Sequence, residues 1–475
     1  MKPLQLPVPN PIPSVWTAQP HALDNHGSKA TLPTECDIVI IGSGFSGVAT
    51  AYHILKCYNN EPSIVLLEAR ELCSGATGRN GGHIKPDTYY STTKYETLYG
   101  AQQASALQKF ESSQVLAVKQ LVETEALDCD FHLTRAVDVY LDRDHARKTY
   151  EAYLKLRQSG SYDLRDVAYT GKEDAERISG VKGAQCCFSF TAAHLWPKRL
   201  VLGLLERLLR RPNFQAHAHT PAYRVSKTQD EAGFWTISTS RGDLKARKII
   251  YATNGYTASL LPQYRRKIVP VRGVCSHIKT SKGANSPHLP NTYSLRFGGA
   301  NYDYLIPRAD GSIVVGGARQ TFLHDRDLWF DSVRDDERMS RASDNYFQGY
   351  MQRHFRGWED SEASTDRVWT GVMGYTSDFM PHIGPVPDIP GQYVIAGFSG
   401  RGMAYILLAS RALARMVVEG IDYEQTGLPT MFKSTRERLS ASESELEKEF
   451  KGVWGSDQTT MQEDKRVPPL LQARL

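Results

Sequence analysis

The sequence predicts an α/β protein of two domains: a Rossmann-like dinucleotide-binding domain and a second domain built on a mixed, largely antiparallel sheet with helices. Three observations carry that prediction. At 475 residues the chain exceeds what one hydrophobic core usually organises. The β-branched run CDIVIIGSG ends in glycines and is followed by FSGVATAYHILKCY at helical spacing and by SIVLLEA, a second buried strand, making a β-α-β unit. Between residues 263 and 364 the pattern changes to alternating segments such as VRGVCSHIKT, NYDYLIPR and GSIVVGGA, the texture of an antiparallel sheet.

Taken in order, residues 1–35 are proline-rich and predict an extended arm, with Trp16 placed to pin it to the body. After the β-α-β unit, residues 97–126 are helical in pattern and FHLTRAVDVYLD alternates like a strand. The charged stretch RDHARKTYEAYLKLRQSG reads as a helix, and HLWPKRLVLGLLERLLRR as an amphipathic helix entered through Pro197. FWTISTS and KARKIIYATNG are strands, residues 335–355 hold helical material, and QYVIAGFSGRGMAYILLASRALARMVVEG returns to strand, glycine turn and long helix. The first domain is therefore expected from 36–110, 195–262 and 365–425, and the second from 111–194 and 263–364. Residues 426–475 are expected to form a charged helix, SESELEKEFKG, and a polar tail.

Composition narrows the partners. An apolar share of 41% and a charged share of 23% are those of a soluble globular chain. The formal charge of +5 is small for this length, and no basic run is interleaved with aromatics, so nucleic acid is not an expected partner. The most apolar window, Ile38 to Leu55, contains three glycines, two serines and a histidine; it suits a strand, turn and helix better than a membrane span. Seven cysteines without a CxxC pair argue for reduced thiols, Cys186 and Cys187 as buried small residues among them, and against a zinc site. His217 and His219 share a face of a possible strand but lack a third ligand, so no metal is expected. The N-terminus has no apolar core of a secretory signal. Ala473, Arg474 and Leu475 follow the small-basic-leucine peroxisomal address, implying the peroxisome and its import receptor; the alternative is an ordinary polar tail on a cytoplasmic protein.

The chemistry begins at the first glycine turn. Gly42, Gly44 and Gly47 form GxGxxG around Phe45 and Ser46, and Glu68 closes the next strand 21 residues later. Such glycines admit a pyrophosphate against the backbone at a helix N-terminus, while the acidic residue accepts hydrogen bonds from ribose hydroxyls. This pattern does not distinguish NAD from FAD. GSGFSG also contains GxxSG, but without the context of a nucleophile elbow.

Three further segments decide the cofactor. SGATGRNGGH, directly after Glu68, Ala69 and Arg70, resembles the corresponding segment of the D-amino-acid-oxidase-like FAD-dependent amine oxidoreductases, the family of sarcosine oxidase, glycine oxidase and γ-glutamylputrescine oxidoreductase. YATNGYT and the pair PHIGPVP and GFSGRGM match the same family in order. The resemblance implies FAD, with Ser74, Gly75 and Ala76 nearer the phosphates and Arg79, Asn80, Gly81, Gly82 and His83 nearer the reactive ring. It also implies contacts from Ala222, from Ala252, Thr253 and Asn254, and from Gly397, Gly400, Arg401, Gly402 and Met403. The last turn would offer N–H groups and a positive helix end to charge developing on the flavin.

Departures from the family are equally specific. Sarcosine-oxidase-like members attach FAD through a cysteine where this chain has Met373, so noncovalent FAD is expected, with His83 and Cys73 as the unusual attachment points left open. The family's oxygen-activating lysine aligns with Val314, which puts rapid reaction with oxygen in doubt. The resemblance implies oxidation of the C–N bond of a primary or secondary, amino-acid-like amine to an imine, with oxygen as acceptor and hydrogen peroxide as product. The alternatives are a dehydrogenase using another acceptor and a flavin-binding protein without turnover. Candidate substrate-pocket residues are His83, Tyr304, Arg308, Trp369 and Tyr375. For Tyr304 and Trp369 plain sheet packing competes, for His83 a hydrogen bond within the structure, and for Arg308 a surface position competes with a carboxylate grip. Whether Arg79 also meets the substrate is left open.

Overall fold

A computed structural model describes residues 5–57, 62–280, 287–299 and 301–451. The C-terminal Ala473, Arg474 and Leu475 lie outside the described residues. The first sheet runs His382–Pro385, Gln392–Ala396, Gly242–Tyr251, Glu35–Ile41, Ile64–Leu67, Phe214–His217, with Trp235–Thr239 and Ala222–Val225 folded onto it through Gly242–Tyr251. Its four central pairings, from Gln392–Ala396 to Phe214–His217, are all parallel, as a β-α-β origin requires. Strand alternation explains the burial: Ile38 and Ile40 point into one core with Val48, Leu204 and Leu413. Val39 and Ile41 point into another with Trp235, Tyr251 and Tyr264. Each such aliphatic side chain removed from water contributes about 1.5–3 kcal/mol. The helices Phe45–Cys57, Pro197–Leu208 and Ile406–Glu419 supply the first of these cores.

Among the described residues the second sheet has nine strands. Along its main path run Ser364–Thr376, Ile268–Lys279, Ile313–Gly317, Asn301–Pro307, Thr292–Gly298, His132–Tyr140, Cys186–His194 and His83–Ile84. Every pairing on that path is antiparallel except Thr292–Gly298 with His132–Tyr140, so the expected mixed, largely antiparallel sheet is present. The domain limits need correction. The strand Ser364–Thr376 pairs with Ile268–Lys279 over its whole length, so a boundary at 365 cuts the second sheet. His83–Ile84 also belongs there, through Cys186–His194. Strand pattern identifies a strand but not which sheet will hydrogen-bond to it.

The described parts of the two terminal segments, residues 5–35 and 426–451, are more integrated than an arm and a tail, and the rest of the expected tail lies outside the described residues. Residues 15–30 are rich in turns, and Trp16 is buried with its indole N–H donating to the Asn80 carbonyl. The Ser14 hydroxyl donates to the Gly78 carbonyl at 2.6 Å, and Ile12 N–H to the Asp335 carbonyl at 2.9 Å. Residues 5–17 therefore form a strap tied both to the glycine-rich segment and to a loop following the second sheet's central strands. The charged helix Glu445–Lys451 buries Leu446 and Phe450, the latter with its ring centroid 5.1 Å from that of Trp329. Among the described residues no helix is long and apolar enough to cross a membrane.

Candidate active site

Between the two sheets lies a cavity of about 430 Å³. Its dinucleotide end is built by the first turn, where each glycine has a different reason. Gly42 has φ +111°, and a Cβ there would lie 2.5 Å from the Ala252 carbonyl oxygen. A Cβ on Gly47 would lie 1.9 Å from the Gly42 oxygen, so this glycine permits close approach of helix and strand. Around Gly44 a Cβ would meet only Thr77 Oγ1, at 3.2 Å, and around Gly75 nothing within 4 Å: here the backbone faces open space. Glu68 is oriented by Ser43, whose N–H and hydroxyl donate to one carboxylate oxygen at 3.0 and 2.6 Å. The open glycine backbone beside an anchored carboxylate fits a pyrophosphate and a ribose.

Most of the residues expected at the cofactor line this cavity. They are Gly42, Gly44, Phe45 and Ser46; Glu68, Ala69 and Arg70; Gly75 and Ala76; Arg79, Asn80, Gly81 and His83; Ala222; Ala252, Thr253 and Asn254; and Gly400, Arg401, Gly402 and Met403. Gly47, Ser74, Gly82 and Gly397 stand behind that lining. Gly47 packs helix on strand, as above. Ser74 turns its carbonyl to Arg70. Gly82 and Gly397 hold positive φ where a Cβ would strike the Leu195 carbonyl and the Thr376 side chain. They shape the wall from behind.

Of the five substrate-pocket candidates, His83, Tyr304 and Tyr375 line the cavity. Arg308 and Trp369 do not, and both expectations are corrected. The Arg308 guanidinium lies 5.2 and 4.6 Å from the ring centroids of Trp16 and Trp196 and pairs with Asp310, just beyond the end of the strand Asn301–Pro307. Trp369 donates its indole N–H to the Arg79 carbonyl at 2.8 Å and packs with Trp16, Cys275 and Val314. Tyr304 is held in a slot: a Cβ on either Gly81 or Gly316 would lie 2.2 Å from its ring, and its hydroxyl meets Cys275 Sγ at 3.2 Å. His83 hydrogen-bonds Thr292 Oγ1 at 2.7 Å, and burial, with Lys85 adding, holds it neutral, well below its ordinary pKa. Arg79 directs its guanidinium to the carbonyls of Thr370, Ile12 and Asp335 and to the Asp335 carboxylate, so its side chain is occupied by structure. Met373 lines the cavity, with its sulfur 3.8 Å from where a Gly400 Cβ would stand. Cys73 is fully buried and outside the lining. His217 and His219 bond to Gly27, Gln215 and Asn25.

Sequence reasoning missed two clusters. In the first, Arg319 Nη2 donates to the hydroxyls of Tyr302 and Tyr375 at 3.1 and 3.3 Å, and all three line the cavity. Its turn is set by Asp303, which accepts from the Ala318 N–H at 2.8 Å and from the hydroxyls of Tyr346 and Tyr350. Tyr302 was legible: it lies two residues from Tyr304 on one strand and therefore on the same face. In the second cluster Arg401 donates to Asp87 at 2.9 Å and stands 3.6 Å from Glu111, which accepts from the Tyr405 hydroxyl at 2.9 Å. Burial pushes the Glu111 carboxyl up to about 7, with Asp87 adding and Arg401 opposing. Burial would also raise Asp87, but Arg401, Lys85 and hydrogen bonds from Ser91 outweigh it and hold the carboxyl at about 2. One turn along the helix Ala101–Thr124 that carries Glu111, the Gln114 side chain donates to the Met403 carbonyl and accepts from the Leu408 N–H, clamping the second glycine turn to the helix it begins.

Comparison with known proteins bears on this geometry. Residues 37–416 match the family model described as DAO, FAD dependent oxidoreductase. The chain is 24% identical over 375 residues to the probable oxidoreductase OrdL of Rhizobium meliloti (strain 1021), covering 78% of this chain and 80% of that one. It is 22% identical over 392 residues to γ-glutamylputrescine oxidoreductase of Escherichia coli (strain K12), covering 80% and 83%. The crystal structure of glycine oxidase from Geobacillus kaustophilus superposes with a TM-score of 0.68 at 18% identity, covering 85% of this chain and 99% of that one.

Proposed function

The chain belongs to the DAO family of FAD-dependent oxidoreductases, and on that premise we propose that it oxidises the C–N bond of a primary or secondary amine bearing a carboxylate to the imine, which water hydrolyses. The observation that carries the substrate class is the Arg319 guanidinium set between the Tyr302 and Tyr375 hydroxyls on the cavity wall. A guanidinium flanked by hydroxyls recognises a carboxylate by charge-assisted hydrogen bonds. Bound FAD supplies the two-electron acceptor for the C–H bond next to nitrogen. The protein's share is positioning. Gly42, Gly44 and Glu68 would hold the dinucleotide, the Gly400–Met403 turn lies at the start of a long helix, and Tyr304 is immobilised between Gly81 and Gly316 as a flat wall. Neutral His83 and its Thr292 partner add a polar group without a competing charge.

Oxygen is the acceptor in this reading, and FAD is held noncovalently. Met373 at the cavity wall supports the latter, because a thioether cannot form the family's cysteinyl link. A second reading, electron transfer to another acceptor, is favoured by Val314, which is buried among Trp16, Cys275 and Trp369 where the family alignment implies a lysine. The test is an anaerobic panel of amino acids, N-methyl amino acids and polyamine conjugates, followed by aeration. Bleaching of the flavin by carboxylate-bearing amines supports the substrate class, and bleaching only by amines lacking a carboxylate refutes it. Peroxide release at the turnover rate supports oxygen as acceptor; reoxidation slower than turnover assigns another one.

A further inference from the structure

Tyr302 stands where positive charge converges. Its hydroxyl accepts from Arg319 at 3.1 Å, and the guanidinium carbons of Arg319 and Arg296 lie 4.4 and 5.7 Å from its ring centroid. Lys85 and Arg401 also act on it. The facing carboxylates are engaged with these cations: Asp138 holds Lys85 at 3.0 Å and Arg296 at 3.2 Å, and Asp87 holds Arg401 at 2.9 Å, with Glu111 behind it. From the C-terminal helix, Glu449 acts on Arg319 and Tyr375. The two tyrosines sharing Arg319 are therefore unequal. The cations, Arg319 first, outweigh burial at Tyr302 and draw its phenol below the ordinary tyrosine value. At Tyr375 burial wins and the phenol rises. Two like groups pushed apart in this way divide into a proton acceptor and a group that keeps its proton.

We propose that Tyr302 is a catalytic base that removes the proton from the substrate's ammonium nitrogen, while Tyr375 and Arg319 orient the substrate. This rests on the amine-oxidising reading above. An amine that enters as an ammonium ion has no lone pair with which to form C=N. The step breaks one N–H bond and forms the Tyr302 O–H bond. The freed nitrogen lone pair would become the second C–N bond, with bound FAD, the two-electron oxidant of the family, taking up the C–H electron pair. Tyr302 returns its proton to water as product leaves. Tyr302 is suited to this by position, because it lines the cavity on the same strand face as Tyr304.

The test compares the parent with Tyr302→Phe and Tyr375→Phe, each holding FAD. Flavin bleaching by a substrate amine is followed anaerobically at saturating concentration from pH 6 to pH 10. For Tyr302→Phe the expected rate is about 10²-fold below the parent at neutral pH, the lower range for loss of a general base. It recovers toward the parent as pH approaches the amine's own pKa, where free amine is supplied by solvent. Tyr375→Phe raises the half-saturating concentration and keeps the parent's pH profile. A Tyr302→Phe loss of the same size at every pH, or a change confined to half-saturation, overturns the base role and leaves an anion grip. Absence of bleaching of the parent by any amine overturns the amine-oxidising reading and the base with it. Absorbance titration at 295 nm is independent of turnover: the parent-minus-Tyr302→Phe difference should show one phenol ionising below pH 10, and its ionisation at or above pH 10 also overturns the proposal.

Discussion

Asp335→Asn probes the joint between strap, cofactor segment and second domain. The Asp335 carboxylate is 1% exposed and meets Arg70 through two hydrogen bonds of 2.9 and 3.1 Å, with Arg79 Nε at 3.4 Å. Both arginines are themselves buried. Asparagine keeps the shape but removes the one charge between two guanidinium groups. Burial already lowers the Arg79 pKa to about 10, with Asp335 working against that shift and Arg70 adding to it. Removing one partner of a buried pair costs about 3–5 kcal/mol, because the remaining charge is left uncompensated. At about 2–4 °C per kcal/mol for domains of 150–250 residues, the melting temperature should fall by about 6–20 °C. Thermal unfolding followed by tryptophan fluorescence and by flavin release measures both the loss and whether the cofactor leaves with it. Asp336→Asn is the control: its Arg334 partner is 51% exposed, and an exposed pair is worth about 0–1 kcal/mol. If Asp335→Asn melts within about 1 °C of Asp336→Asn, the buried triad is not what holds this joint.

Glu111→Gln should change the pH dependence of stability. Glu111 keeps its proton to about pH 7 when folded and loses it near 4.5 when unfolded, so the folded state binds more protons between these values and stability falls as pH rises through them. The variant lacks that slope, and its stability relative to the parent should rise by up to about 3 kcal/mol from pH 4.5 to 7 and then stay level; parallel curves would refute the shift. Arg308→Ala should lower stability by about 1–2 kcal/mol through loss of the cation–π contacts with Trp16 and Trp196, while flavin bleaching by substrate stays within about twofold. A raised half-saturation in that variant would return Arg308 to the substrate site. Removing residues 1–13 takes away Leu6 and Pro7 from the cavity wall and the Val8 carbonyl from Arg70. FAD should then dissociate at least about tenfold more readily, seen as flavin fluorescence on dilution; unchanged retention would show that the strap does not close the cofactor site.

The dinucleotide cradle was legible because its physics is local. GxGxxG describes a strand, a turn and a helix within a dozen residues, and each glycine answers to a backbone distance within that unit or to the neighbouring strand. The later motifs, YATNGYT and GFSGRGM, were read from their resemblance to the family, and the Gly400–Met403 turn lines the cavity. The second sheet's interior was read less well. Trp369 shares the face of Tyr304, across Cys275 and Gly316, but is packed against Trp16 and Val314, and Arg308 follows the end of its strand; alternation gives a face without saying how far along it the cavity runs. Tyr304 and Tyr302 share a face, yet Tyr302 acquires its character from Arg319, Arg296, Lys85 and Arg401, brought from other segments.

By itself the sequence determined the α/β architecture and the glycine turn with its acidic strand end, since these depend on short-range spacing of glycine, apolar and acidic residues, while the flavin-dependent family entered through the resemblance of three later segments. Only the tertiary structure decided which side chains share the cavity and with what charge. Asp335 reads as a polar loop residue until it is found between Arg70 and Arg79, and Glu111 as a helix-surface carboxylate until it is buried beside Arg401 and Tyr405. Asp335 and Arg70 are 265 residues apart in sequence. An ion pair of that kind is made by two sheets closing on one another, and its strength comes from the water they exclude, a quantity no local pattern encodes.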